Sequence, residues 1–274
     1  METVLSIKNL SYSYNEDKKA LNGISLDIHR GERLAVIGSN GAGKSTFFLN
    51  LNGVLTPEDG EIFFEDKPID KKNLIELRKN VGIVFQNADN QIIASTVLAE
   101  VSFGPMNMKL PRDEVISRCE ESMEYMNITH LKDRPPHYLS GGEKKCVSIA
   151  DIIAMKPKVI IFDEPTEGLD PINAKMLEDV LDRLNKEGKT ILLSTHDVDF
   201  AYRWADRAVV FSDGEIIADD TPVNVFRNDD AVKRARLRRP AILEIYEALY
   251  KKKLISSAEY PRSVSELKKL IEAV

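Results

Sequence analysis

Residues 38–46 read GSNGAGKST, and the fold follows from what flanks them. Before the stretch, Leu34 to Ile37 (LAVI) is a short apolar run suited to a buried strand. After Lys44 comes STFFLNLN, which can continue as a helix. Strand, glycine-rich turn and helix make GxxxxGK[ST] a phosphate loop rather than a chance match. Gly38, Gly41 and Gly43 open backbone angles closed to other residues. The N–H groups of the loop, those of Ser39, Asn40, Ala42 and Thr46 among them, can then turn into one hollow. The hollow lies at a helix N-terminus, where partial positive charge favours an anion. Lys44 adds a full charge for β- and γ-phosphates, and Ser45 offers a hydroxyl to Mg²⁺.

Working outward, LAVIG (34–38), GIVF (82–85), KVIIFD (158–163) and TILLST (190–195) are short and apolar throughout. Such strands suit a parallel sheet covered on both faces. Residues 3–10, 24–28 and 60–64 are short strand-like pieces, the first two alternating, and 208–211 and 216–218 flank Ser212-Asp213-Gly214, a hairpin signal. These suit an antiparallel region. Asn173 to Leu184 carries apolar residues at helical spacing. Between residues 87 and 155 strand signals vanish, and helical stretches near 97–103, 113–126 and 143–155 are punctuated by Pro105, Pro111 and Pro135-Pro136. The expectation is an α/β fold with a mainly parallel core sheet, an antiparallel β subdomain and an inserted helical subdomain. Its main unit spans 1–228, with the helical part at about 87–155, and a helical extension covers 229–274.

Four further stations carry chemistry. Asp163 and Glu164 end an apolar run, where two carboxylates are costly unless they serve a cation or a proton transfer. Alternation sends their side chains different ways: Asp163 toward Mg²⁺, Glu164 toward the γ-phosphate and the attacking water. Gln86 follows GIVF, where an amide can ligate Mg²⁺ or orient a water. His196 follows TILLST and could hydrogen-bond a γ-phosphate or the water. Leu139, Ser140, Gly141, Gly142 and Glu143 (LSGGE) make a capping box for the following helix, and their exposed N–H groups could also bind phosphate.

In that order these motifs resemble the ATPase subunits of ATP-binding cassette (ABC) transporters. GSNGAGKST is similar to the family's Walker A motif, Gln86 to its Q-loop, LSGGE to its signature and VIIFDE to its Walker B. Gly168, Leu169 and Asp170 resemble the D-loop, and His196 the switch histidine. The resemblance spans roughly residues 3–228 and implies an ATP-hydrolysing transporter motor. It also implies that Tyr14 stacks on adenine, with Tyr12 its neighbouring rival. Residues 86–105 resemble the energy-coupling factor (ECF) branch, its cobalt-import members most, which implies uptake of a transition-metal ion; nickel- and vitamin-type ECF transporters, or a non-transport ABC ATPase, are the alternatives. The resemblance further implies a second ATPase subunit, head to tail, with LSGGE acting on its nucleotide. A transmembrane coupling subunit and a substrate-binding membrane subunit would complete the complex at the cytoplasmic face of the cell membrane. Residues 87–103 would receive a helix of the coupling subunit, with Glu100 facing a basic residue. The sequence departs from the family pattern at Glu143, Cys146 and Glu167.

Composition narrows the alternatives. With 43% hydrophobic and 30% charged residues, the chain reads as soluble and globular. No apolar run reaches the ~20 residues of a membrane span, and the N-terminus lacks the regions of a signal peptide. A net charge of -6 argues against nucleic acid. The insertion is too short and proline-broken for the coiled-coil arms of DNA-repair ABC proteins. Cys119 and Cys146 lack metal-site spacing.

Overall fold

The computed structural model describes residues 2–15, 18–255 and 259–272. Strands β3 (Arg33–Gly38), β6 (Val81–Val84), β7 (Val159–Phe162), β8 (Thr190–Ser194), β9 (Arg207–Ser212) and β10 (Glu215–Asp220) form one sheet in the order β10-β9-β3-β8-β7-β6. Successive residues of β3 face opposite layers. Leu34 and Val36 join one buried cluster with Phe47, Phe48 and Leu51. Ala35 and Ile37 join the other with Leu177, Leu181 and Leu184. Two covered faces explain why these strands are apolar at every position rather than at alternate ones.

The β3–β8, β8–β7 and β7–β6 pairings are parallel. The 208–218 hairpin forms around Asp213 and Gly214, but it does not join the antiparallel region. β9 pairs in parallel with β3, and β10 closes that edge antiparallel. All of β9 but Arg207 is buried, which a place inside the core sheet requires. The second sheet contains β1 (Thr3–Ser13), β2 (Lys19–His29), β4 (Asp59–Phe64) and β5 (Lys67–Pro68), in the order β2-β1-β4-β5, all antiparallel.

Helix α1 (Lys44–Leu51) follows the phosphate loop, and α2 (Leu74–Asn80) leads into β6. Between β6 and β7 lie α3 (Val97–Asn107), α4 (Arg112–Tyr125) and α5 (Gly141–Ala154). Pro105 sits within the last turn of α3 instead of ending it. A proline lacks its own N–H and crowds the carbonyl four residues back, yet the turn continues past it, with Met108 N donating to Gly104 O at 3.0 Å. Beyond β7 come α6 (Pro171–Lys186) and α7 (Val198–Trp204), then α8 (Pro222–Arg227), α9 (Asp229–Arg234), α10 (Ala241–Lys251) and α11 (Val264–Glu272). The last stretch is tied to α7: Tyr202 Oη donates to Pro261 O at 3.1 Å, and Arg262 donates to Tyr202 O. Among the described residues no helix is long and apolar enough to cross a membrane.

Candidate active site

The carboxyl ends of β3, β6, β7 and β8 open onto a cavity of about 910 Å³. Ligands of open α/β sheets bind at this edge. Tyr14, Asn40, Gly41, Ala42, Gly43, Lys44, Ser45 and Thr46 line it, together with Gln86, Asp163, Glu164 and His196. Close approach requires two of the loop's glycines. A Cβ on Gly43 (φ +105°) would lie 2.5 Å from Ala20 O, and one on Gly38 would lie 2.3 Å from Phe211 O.

Lys44 is buried, and its ammonium donates to Gly38 O at 2.8 Å and Ser39 O at 3.3 Å. Its Nζ also lies 3.8 Å from Oε1 of Glu164, which is buried too. The other carboxylate oxygen of Glu164 is 3.0 Å from His196 Nδ1 and accepts the His196 backbone N–H at 3.2 Å. Glu164 is thus aimed from both sides. Its neighbour is held separately: Ser194 Oγ donates to Asp163 Oδ1 at 2.6 Å and accepts the Glu164 N–H at 2.8 Å.

Strand alternation does not separate Asp163 from Glu164, because β7 ends at Phe162 and Glu164 turns to φ +45°. That left-handed turn brings both carboxylates to one cavity, and such backbone strain in a non-glycine residue is concentrated at functional sites. Tyr14 stands at the rim, 61% exposed, its hydroxyl 3.3 Å from Thr46 Oγ1 and its ring edge-on to Tyr12. An exposed aromatic beside a phosphate loop can offer a face to a flat ring.

Ser45, Gln86 and Asp163 supply only oxygen ligands to this cavity. That set fits Mg²⁺, which takes one or two carboxylate-type ligands beside substrate phosphates and keeps several waters. Among the described residues no trio of His, Cys, Asp or Glu is placed to hold a metal by itself.

Leu139 to Glu143 do not line the cavity. Ser140 caps α5, accepting the Glu143 N–H at 3.3 Å, while Ser140 N donates to the Glu143 carboxylate at 2.7 Å. The Ser140 backbone and hydroxyl together hold the Glu143 carboxyl below its ordinary range. Gly168 and Leu169 lead to Asp170, which caps α6 through the N–H groups of Ile172 and Asn173. Leu169 and Asn173 lie beside Gly142.

Two features were not legible beforehand. Ser194 reads as one more residue of an apolar strand. Lys145 reads as a solvated helix residue, yet it is buried and donates to Phe85 O at 2.9 Å and Gln86 O at 2.7 Å. Burial lowers its pKa to about 8 against the opposing pull of Asp163, Glu167 and Glu164. The reading of Glu100 is corrected. It is 2% exposed, and its carboxylate accepts the N–H groups of Ile93 at 2.9 Å and Ala94 at 2.7 Å. It closes its own loop and has no face to offer a partner. Ile93, Leu98, Phe103 and Met106 are exposed nearby, whereas Val97 and Val101 are buried.

Residues 21–167 match the family model described as ABC transporter. The chain belongs to the ABC transporter family. It is 47% identical over 248 residues to the energy-coupling factor transporter ATP-binding protein EcfA of Methanothermobacter thermautotrophicus, covering 90% of this chain and 80% of that protein. It is an ECF-type ABC ATPase subunit. The curated relatives it matches are spanned to very different extents, from 59% of a putative ABC transporter ATP-binding protein of Methanosarcina mazei to 97% of others. Among solved structures it is similar to cbiO1 of Clostridium perfringens, described as part of the ABC transporter complex cbiONQ. The TM-score is 0.76 and the identity 43%, over 90% of this chain and all of that one. A dimeric ATP-binding cassette in a post-hydrolysis state with ADP and phosphate matches at a TM-score of 0.72 and 29% identity, over 80% of this chain and 98% of that one. The fold of this ABC ATPase, with its six-stranded core sheet, is that of the solved cassettes.

Proposed function

We propose that this ABC ATPase is the motor of an ECF-type importer, with Glu164 as the general base that draws a proton from the attacking water. The observation that carries the reading is the buried Glu164 carboxylate, held between Lys44 and His196 at the carboxyl end of β7. Lys44 and the loop N–H groups bind the β- and γ-phosphates of ATP, and Tyr14 takes the adenine. His196 keeps the carboxylate aimed at the water and contacts the γ-phosphate. Bound by Ser45, Gln86 and Asp163, Mg²⁺ would neutralise charge on the β- and γ-phosphate oxygens.

LSGGE lies away from its own cavity, which supports a head-to-tail pair: Ser140, Gly141 and Gly142 of one copy close on the ATP of the other. The dimeric cassette with ADP and phosphate supports the same arrangement. We read residues 1–228 as the ATPase unit, with the helical part at about 87–155, and 229–274 as a helical extension. The membrane partners are a transmembrane coupling subunit and a substrate-binding subunit, which hold the chain at the cytoplasmic face. Ile93, Leu98, Phe103 and Met106 are the exposed apolar residues that support docking on the coupling subunit, now without Glu100. The cargo we assign is a transition-metal ion, cobalt first, supported by the sequence of residues 86–105 and the likeness to cbiO1.

Glu164→Gln keeps the shape and removes the base. Turnover should fall ~10²–10⁴-fold while ATP affinity holds. Hydrolysis at the parent rate would sink the assignment. Copurifying the membrane partners and measuring uptake of labelled cobalt, nickel and vitamins tests the cargo.

A further inference from the structure

Gln86 is gripped at both ends. From α5, the Lys145 ammonium donates to the carbonyls of Phe85 and Gln86, and the Gln91 amide oxygen accepts the Phe85 N–H at 3.2 Å. The main chain leaving β6 is therefore fixed, and the side chain is the part left to be oriented. Its amide nitrogen donates to Oε2 of Glu167. Glu167 also lines the cavity. The turn that aims Glu164 places it there, closed by Glu167 N donating to Glu164 O at 3.2 Å.

We infer that Glu167 is a positioning residue that sets which end of the Gln86 amide faces the metal side of the cavity. An amide can rotate by half a turn and exchange its oxygen for its nitrogen with almost no change of shape. Only the oxygen can ligate a cation. A carboxylate accepts hydrogen bonds and does not donate them, so it selects the NH₂ end and leaves the oxygen for the cavity. The inference rests on the reading of Gln86 as a Mg²⁺ ligand.

The test has two readouts. In nucleotide-free protein labelled with ¹⁵N-glutamine, the side-chain NH₂ signals of Gln86 are those lost in Gln86→Ala. Glu167→Ala should move them, since the hydrogen bond is gone. In steady-state hydrolysis at saturating ATP, Glu167→Ala should raise the Mg²⁺ concentration for half-maximal rate by ~3–10-fold, as for loss of one exposed charge-assisted hydrogen bond. The rate at saturating Mg²⁺ should change by less than about twofold. Gln86→Glu combined with Glu167→Gln reverses donor and acceptor but keeps an oxygen facing the cavity. It should return the Mg²⁺ requirement to within about twofold of the parent, a coupling that a merely structural role would not produce. Unmoved NMR signals, or a parental Mg²⁺ requirement in Glu167→Ala while Gln86→Ala raises it, would overturn the inference and leave the ligand reading standing. A parental requirement in Gln86→Ala would overturn the ligand reading itself.

Discussion

Lys44 and Glu164 are both buried, and each would be expensive there alone. Removing one member of a buried charged pair strands the other. Lys44→Ala should therefore do two things. It should weaken ATP binding by at least ~10-fold, through loss of a charged contact to phosphate, and leave the Glu164 carboxylate its contact with His196 but without its nearest ammonium. Binding of a fluorescent ATP analogue measures the first effect; parental affinity would remove Lys44 from the phosphate site. His196→Ala should act differently. The ring contact to Oε2 disappears while the loop stays intact, so turnover should fall ~10²-fold with ATP affinity kept. A drop in affinity equal to the drop in turnover would mean that His196 binds substrate instead of aiming the base. Lys44, Asp163 and Glu164 could be picked out from the sequence because each follows an apolar strand or a glycine-rich turn, a local signal, and His196 from its place in the order of the motifs. The contacts of Ser194 with Asp163, of Lys145 with Gln86 and of Glu167 with Gln86 could not. They join residues far apart in the chain, and only the folded strand order brings them together.

At the scale of elements, α5 ties the signature motif to the segment after β6. Lys144 donates to Asp89, Lys145 to Phe85 and Gln86, and Gln91 donates to Ser148 O and Asp151. Residues 144, 145, 148 and 151 share one face of the helix. Burial, aided by Glu100 and opposed by Gln91, raises the Asp151 carboxyl to about 7. The folded protein thus holds this proton over a range where the unfolded chain has lost it, so Asp151 lowers stability as pH rises from about 4 to about 7. Asp151→Asn should flatten that decline and gain about 1–2 kcal/mol at pH 8, discounted for partial exposure. Urea unfolding at pH 5 and pH 8 measures it; equal effects at both pH values would contradict the assignment. Glu100→Lys should cost about 3 kcal/mol, because it buries a cation and strands the Ile93 and Ala94 N–H groups. Thermal unfolding checks this, and a parental Tm would contradict the buried role. Glu100 shows the limit of the sequence: an acidic residue among apolar ones reads as surface until the loop is seen folding back over it. The parallel core strands were readable from unbroken apolarity. The 208–218 hairpin was readable as a hairpin, but its place beside β3 was not, because neighbours in a sheet leave no local mark.

Over the whole molecule, the cavity at the strand ends is lined by the glycine-rich loop, by Glu164, proposed as the base, and by the oxygen groups proposed for Mg²⁺, while the capped glycines of LSGGE lie elsewhere on the chain. Tyr138 and Ile172, beside the signature and the start of α6, are exposed. A cavity that LSGGE does not line and the exposed Ser140 and Gly141 fit together if two copies pair head to tail, each finishing the other's site. ATP then joins the copies and hydrolysis parts them, since the charge and contacts at the γ-phosphate change. The direct measurement is sedimentation velocity of Glu164→Gln with Mg-ATP, with Mg-ADP, and with Ser140 changed to Ala in the same background. The account predicts a dimer with Mg-ATP, a monomer with Mg-ADP, and a weaker dimer at unchanged ATP affinity when Ser140 is lost. A protein that stays monomeric under saturating Mg-ATP, alone and with its membrane partners, would contradict it.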